Sequence, residues 1–363
     1  MTQPFIIDAH LDLALNAIEW NRDLTRPIAD IRVAESELRD KPGRGCNTVC
    51  LPELRRGRIG LVVATQIARV KQSNQYSPAA GWNSQAQAWA MTQAQLAWYR
   101  AMEQAGEMTP IRSRDELDSH VARWDNAAAP ASLTLPIGYL LSLEGADSLL
   151  TPAHLEKAYE QGLRAIGPAH YGPGIYAMGT DSSGGFPPRG RELLKEIERL
   201  GMILDVTHLS DECFWEAIDT FPGPIWASHH NCRALVPHQR QLNDDQIRAL
   251  VARDAVIGAA LDAWMIVPGW VRGQTTPESA GLKLERLVEH IDHICQIAGN
   301  TRHVGLGSDL DGAFGREQAP MDLDTIADVN RLGNILLARG YASASVADFA
   351  CGNYLRFLRD ALP

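Results

Sequence analysis

Ile6-Ile7-Asp8-Ala9-His10-Leu11-Asp12 decides how this chain is read. A short apolar run stops at an imidazole and a carboxylate one residue apart. In an extended segment, positions i and i+2 point to the same side, so His10 and Asp12 can share one ion. The same grammar, apolar run then polar chemistry, returns along the chain. It recurs in Leu143-Glu144-Gly145, Asp205-Val206-Thr207-His208 and Ala227-Ser228-His229. It closes in Gly305-Leu306-Gly307-Ser308-Asp309-Leu310-Asp311-Gly312.

Outward from these islands, eight apolar runs predict strands at about 5–9, 60–66, 137–143, 163–167, 202–207, 224–228, 255–261 and 303–308. Helical patterns lie between them at 84–104, 190–200, 212–219, 245–253, 281–298 and 323–338. Asp211 is the expected cap of 212–219, and Asn243 or Asp244 opens 245–253. Strand–helix alternation with apolar strands predicts an α/β fold with a parallel sheet. Eight repeats predict closure into a (β/α)8 TIM barrel, a single domain over 1–363 with loop insertions between strands. An open doubly wound sheet competes, but no Gly-x-Gly-x-x-Gly opens a helix after the first strand. A barrel gathers the C-terminal ends of its strands around one axis, which is where active sites of this architecture sit. The polar islands follow those ends.

Glu144 closes a strand that should be buried, and a buried carboxylate needs a partner or a cation. Arginine is the ordinary partner, but the two carboxylate oxygens can also bridge two metals. His208 and His229 end consecutive strands, and neutral imidazole is a good ligand for zinc and related ions. Singly, each is more often a hydrogen-bonded core histidine; together with the other islands they read as ligands. The count gives His10, Asp12 and Glu144 for one metal and Glu144, His208 and His229 for a second, with positions left for water.

His170, in Gly167-Pro-Ala-His-Tyr-Gly172, is not needed in that count and can donate to a developing oxyanion. Arg240 suits a substrate carboxylate through paired hydrogen bonds, or is an ordinary surface arginine. Of Asp309 and Asp311, one can bind an ammonium or handle a proton while the other buttresses a loop. Gly305 and Gly307 fit a strand whose backbone must come close to the pocket. The stretch Trp264–Trp270, within 262–280, reads as an apolar lid or as ordinary loop packing.

Composition narrows the partners. With 34 basic and 44 acidic side chains the net charge is -10, which argues against a nucleic-acid footprint. The six cysteines form no C-x2-C knuckle and read as buried thiols. No basic leader with an apolar core is present, and no apolar run reaches the length of a membrane span, so no membrane association and a cytoplasmic location are expected.

In this order the motifs resemble the membrane dipeptidase family, also called renal dipeptidase or peptidase family M19. The matching stretches are Ile7–Asp12, Leu143–Gly145, Asp205–Ser210, Ala227–His229, Arg240 and His303–Gly312. The resemblance implies an amidohydrolase-type barrel with two zinc ions, Glu144 bridging them, and His10, Asp12, His208 and His229 completing the set. It assigns His170 to the scissile carbonyl, Arg240 to the substrate carboxylate and Asp309 to the free amino group or a proton. The implied activity is hydrolysis of free dipeptides by a metal-bridging hydroxide, with a D-residue accepted at the C-terminal position. It also allows a homodimer. The chain departs from the family's pattern at Ser228-His229-His230, around His170, and over 262–280. A binuclear amidohydrolase of N-acyl amino acids, cyclic amides or lactones is the alternative reading, and a non-enzymatic metal-binding protein is a second.

Overall fold

The computed structural model describes residues 5–71, 81–127 and 132–363. Its strands are β1 (Ile6–Leu11), β2 (Ile59–Ile67), β3 (Met108–Pro110), β4 (Ile137–Glu144) and β5 (Leu163–Gly167), followed by β6 (Ile203–Asp205), β7 (Ile225–Trp226), β8 (Ile257–Ala259) and β9 (Val304–Leu306). All eight expected strands are present. Their order is β7-β6-β5-β4-β2-β1-β9-β8, and every pairing is parallel. The ends of that series meet at Ala227. Its N–H donates to the Val256 carbonyl at 3.1 Å, and its carbonyl accepts from Gly258 N–H at 2.8 Å. The expected (β/α)8 barrel is therefore the fold, an α/β ring of eight parallel strands surrounded by helices.

β1, β2 and β4 are buried at every residue, as parallel strands must be when side chains fill the barrel and helices cover its outside. The helix Gln85–Gln104 shows the covering layer. Ser84 caps it by accepting from Gln87 N–H at 3.2 Å. Ala88, Thr92, Gln95, Leu96 and Tyr99 recur at helical spacing on its buried face. Gln95 also satisfies the end of β2, accepting from Ile67 N–H at 2.8 Å and donating to its carbonyl at 2.9 Å.

Local expectations are refined at several points. Ser210, not Asp211, caps the helix Asp211–Thr220, because its hydroxyl reaches the Cys213 N–H at 3.2 Å. Asp211 is instead the first helical residue and pairs with Arg233 at 2.7 Å. Asn243 opens Asp244–Ala252 through a reciprocal capping box with Gln246. The helix expected from 281 begins at Glu285, because Gly281 at φ 60° ends a separate short turn, Pro277–Ala280. The helix expected over 323–338 is a 3-10 segment, Ile326–Asn330, running into Arg331–Ala338. β3 was not expected. It is a three-residue strand beside the start of β4, and its Pro110 carries no N–H for a further ladder bond. Cys50, Cys213 and Cys232 are buried thiols as expected, whereas Cys46, Cys295 and Cys351 are half-buried; all six are unpaired. No described helix is long and apolar enough to cross a membrane.

Two glycines allow the closing strands to approach. A β-carbon at either Gly258 or Gly307 would lie 1.8 Å from the Ser228 carbonyl oxygen, far inside contact distance. The backbone leading to His229 therefore rests directly on β8 and on the residue after β9. Gly258→Ala is expected to destabilise the fold by about 1–3 kcal/mol, the usual cost of overpacking. Denaturant unfolding checks this, and an unchanged midpoint would show that the strands do not close as described.

Candidate metal centre

The barrel mouth gathers the predicted side chains. His10 and Asp12 leave β1, Glu144 ends β4, and His208 and His229 follow β6 and β7. His10, Asp12, Glu144, His208, His229 and Arg240 are all buried. Glu144 stands between two donor groups. Its Oε2 faces His10 Nε2 at 3.6 Å, while Oε1 faces His208 Nε2 at 3.3 Å and His229 Nε2 at 3.6 Å. His10 Nε2 also lies 3.8 Å from Asp12 Oδ1 and 3.8 Å from Asp309 Oδ1. The His10 and His229 rings are 3.7 Å apart, centre to centre.

These imidazoles are held for their Nε2 atoms to act. His208 Nδ1 meets Thr180 Oγ1 at 2.8 Å, and His229 Nδ1 meets Ser228 Oγ at 2.9 Å. With Nδ1–H donating to the hydroxyls, both Nε2 lone pairs turn inward, 3.2 Å from each other. His10 Nε2 is buried with no hydrogen-bond partner. Burial holds His208 and His229 well below the usual imidazole pKa and His10 at about 3, so all three are neutral. The carboxylates move the other way. Burial, then the charge of Asp12, raises Glu144 and Asp309 well above their usual range, and burial raises Asp12 to about 6. Neutral nitrogen donors and under-compensated carboxylates around one space are what divalent cations neutralise. The donor set fits metal ions. Three overlapping clusters meet the spacing for one: His10–Glu144–His229, Glu144–His170–His208 and His10–Asp12–Asp309.

Backbone clamps set these positions. Asp8 Oδ1 accepts from His10 N–H at 3.2 Å and Ser308 N–H at 2.9 Å, tying the ends of β1 and β9 together. Asp205 Oδ1 accepts from Thr207 N–H at 3.0 Å and Ser228 N–H at 3.1 Å, doing the same for β6 and β7. His208 and Asp309 sit at φ 68° and 57°, a left-handed conformation that side chains other than glycine rarely adopt.

The remaining predicted residues separate by role in the geometry. His170 lies within the Glu144–His208 cluster, 4.6 Å from the His208 ring, and its Nδ1 is buried without a partner. Burial, then the charge of Arg69, keeps it neutral. Arg240 is buried rather than on the surface. Its Nη2 donates to the His229 carbonyl at 2.9 Å, while Nε and Nη1 meet no acceptor. Asp309 joins the centre. Asp311 is the buttress, accepting from Thr48 N–H at 2.7 Å, Thr48 Oγ1 at 2.8 Å and Val49 N–H at 3.0 Å.

The family profile described as membrane dipeptidase (peptidase family M19) matches residues 1–362. The chain belongs to this family. A Schizosaccharomyces pombe protein named an uncharacterised dipeptidase is 30% identical over 225 residues, 61% of this chain and 52% of its own length. A Claviceps purpurea protein named a dipeptidase is 28% identical over 229 residues, 61% of this chain and 50% of its own length. The chain thus spans about half the length of these curated relatives. A solved metallo peptidase of Rhodobacter sphaeroides, bound to a phosphinate mimic of L-Ala-D-Ala, superposes over 99% of both chains with TM-score 0.76 and 20% identity. At that identity the likeness shows the barrel fold alone.

Several residues of this M19 mouth escaped the sequence reading. Asp8 and Asp205 sat inside quoted motifs, and a carboxylate within an apolar strand run was the available signal. Asp262 follows β8, a strand end to which the sequence assigned no polar group. It accepts from Trp264 Nε1 at 2.7 Å, Arg272 Nη2 at 3.0 Å and Gln318 Nε2 at 2.7 Å. Thr65, which donates to Asp12 Oδ1, and Thr180 carry no sequence signal. Thr180→Val is expected to weaken metal affinity by about 10- to 100-fold, because the hydroxyl fixes the His208 tautomer. A chelator competition titration measures it; an unchanged affinity would mean that Thr180 does not orient the ring.

Proposed function

We propose that this chain is a zinc-dependent dipeptidase, a single barrel domain over 1–363 that hydrolyses the peptide bond of free dipeptides. The observation that carries the reading is Glu144, whose Oε2 faces His10 while its Oε1 faces His208 and His229. His10 and Asp12 with Oε2, and His208 and His229 with Oε1, would hold two zinc ions. When bound, the pair supplies Lewis-acid polarisation and an activated water.

The chain's own residues do the rest. Arg240 offers its unpartnered Nε and Nη1 donors, with the full guanidinium charge, to the substrate's C-terminal carboxylate. Asp309 receives the N-terminal ammonium and is placed to carry a proton to the leaving amine. His170, neutral, donates to the carbonyl oxygen as it gains charge. A clamp on both ends selects short substrates, because a longer chain would place an uncharged peptide bond against Arg240 or Asp309. Acceptance of a D-residue at the C-terminal position is part of the proposal, supported by the dipeptide mimic held by the Rhodobacter sphaeroides relative.

Glu144→Ala is expected to remove bound metal and to lower turnover by about 1,000-fold or more, since it disrupts both ions' surroundings. Metal analysis and amine release check it, and full metal content with ordinary turnover would refute the bridging role. Arg240→Ala is expected to lower kcat/KM for free-acid dipeptides about 100-fold more than for their C-terminal amides. Equal losses on both would remove Arg240 from carboxylate binding. Cleavage of N-acetylated substrates or lactones but not of free dipeptides would move the function to another amidohydrolase reaction.

A further inference from the structure

Arg69 stands two residues beyond Ile67, the β2 residue that pairs with Glu144 across the sheet. It therefore occupies the rim beside the central carboxylate. Its Nη2 donates to the Tyr171 carbonyl at 2.7 Å, next to His170. Its Nη1 is buried and meets no acceptor. The Asp147 carboxylate supports Arg69 electrostatically but is engaged elsewhere. Asp147 Oδ2 accepts from Val70 N–H at 3.3 Å and Oδ1 from Ile175 N–H at 2.8 Å.

The charges at the mouth can now be matched to a ligand. A zwitterionic dipeptide brings one carboxylate, which Arg240 takes, and one ammonium, which Asp309 takes. Arg272 has its own counter-ion in Asp262 at 3.0 Å. Arg69 remains, a partly desolvated guanidinium with an open donor beside the carbonyl-binding histidine. A guanidinium withdrawn from water with no carboxylate hydrogen-bonded to it is costly, and a substrate anion at Nη1 would compensate it.

We propose that Arg69 forms a side-chain subsite for a second carboxylate, so that the preferred substrates are dipeptides containing aspartate or glutamate. This rests on the dipeptidase reading. The Tyr171 carbonyl fixes the guanidinium next to His170, where Nη1 would meet the substrate side chain.

The test compares kcat/KM of the zinc-loaded protein for Glu–Ala against Gln–Ala and for Ala–Glu against Ala–Gln, in both stereochemistries of the C-terminal residue. Glutamate and glutamine have the same shape, so their ratio isolates charge. The expected result is a preference of about tenfold or more for glutamate at one of the two positions, which also locates the subsite. Arg69→Met should bring that ratio close to one, and Arg69→Lys should keep part of it. Circular dichroism and metal content confirm that each variant is folded and loaded. Glutamine dipeptides cleaved as well as glutamate ones by the unaltered protein, or an unchanged ratio in Arg69→Met, overturn the subsite and leave the dipeptidase reading standing. No cleavage of any dipeptide overturns both.

Discussion

Charge withdrawn from water must be answered by charge, and the barrel mouth is built around that constraint. Glu144, Asp12 and Asp309 are gathered where solvent is largely excluded, and no lysine or arginine forms a close ion pair with any of them among the described residues. Arg240 is the nearby guanidinium that lowers the pKa of both Glu144 and Asp309, yet burial still dominates both. Facing them are imidazoles kept neutral by the same burial. Such a set is unfavourable on its own and becomes favourable around divalent cations. The hydroxyl partners of His208 and His229, the backbone clamps of Asp8 and Asp205, and the buttress at Asp311 all hold that set in place.

The barrel separates the cost of this arrangement from the stability of the fold. Below the mouth, strands buried on both faces supply apolar packing. At the mouth, His208 and Asp309 take left-handed backbone conformations, which cost on the order of 1–3 kcal/mol each. Asp205 and Asp8 secure the residues just before or beside these turns, so the strained backbone is fixed by hydrogen bonds rather than left free. Gly258 and Gly307 let the β7 end settle against its neighbours, and His229 projects from that contact.

Much of this was legible from residues alone. The eight apolar runs needed only length and composition to be read as strands, and parallel pairing follows from the helices between them. His10, Glu144, His208 and His229 were legible because each follows such a run, where a barrel concentrates its chemistry. Less legible were features set by a partner distant in sequence. β3 is a three-residue strand that exists because β4 lies beside it. A local choice was also missed: Asp211 was the expected cap, and hydroxyl reach to the Cys213 N–H gives that role to Ser210. Arg240 read equally well as surface or site until its burial was seen, and the roles of Asp309 and Asp311 were interchangeable until Thr48 and Val49 were placed against Asp311.

The sequence by itself determined the barrel and the strand-end residues His10, Asp12, Glu144, His208 and His229 of its mouth, because hydrophobic period and strand-end position are local properties carried by consecutive residues. Tertiary structure decided how the members face one another: which Glu144 oxygen meets which histidine, which arginine nitrogens lack acceptors, and which hydroxyl holds each ring. Apart from the adjacent Ser228 and His229, those contacts join residues far apart in the sequence. Their geometry depends on the register and closure of the whole ring, which no local run of residues encodes.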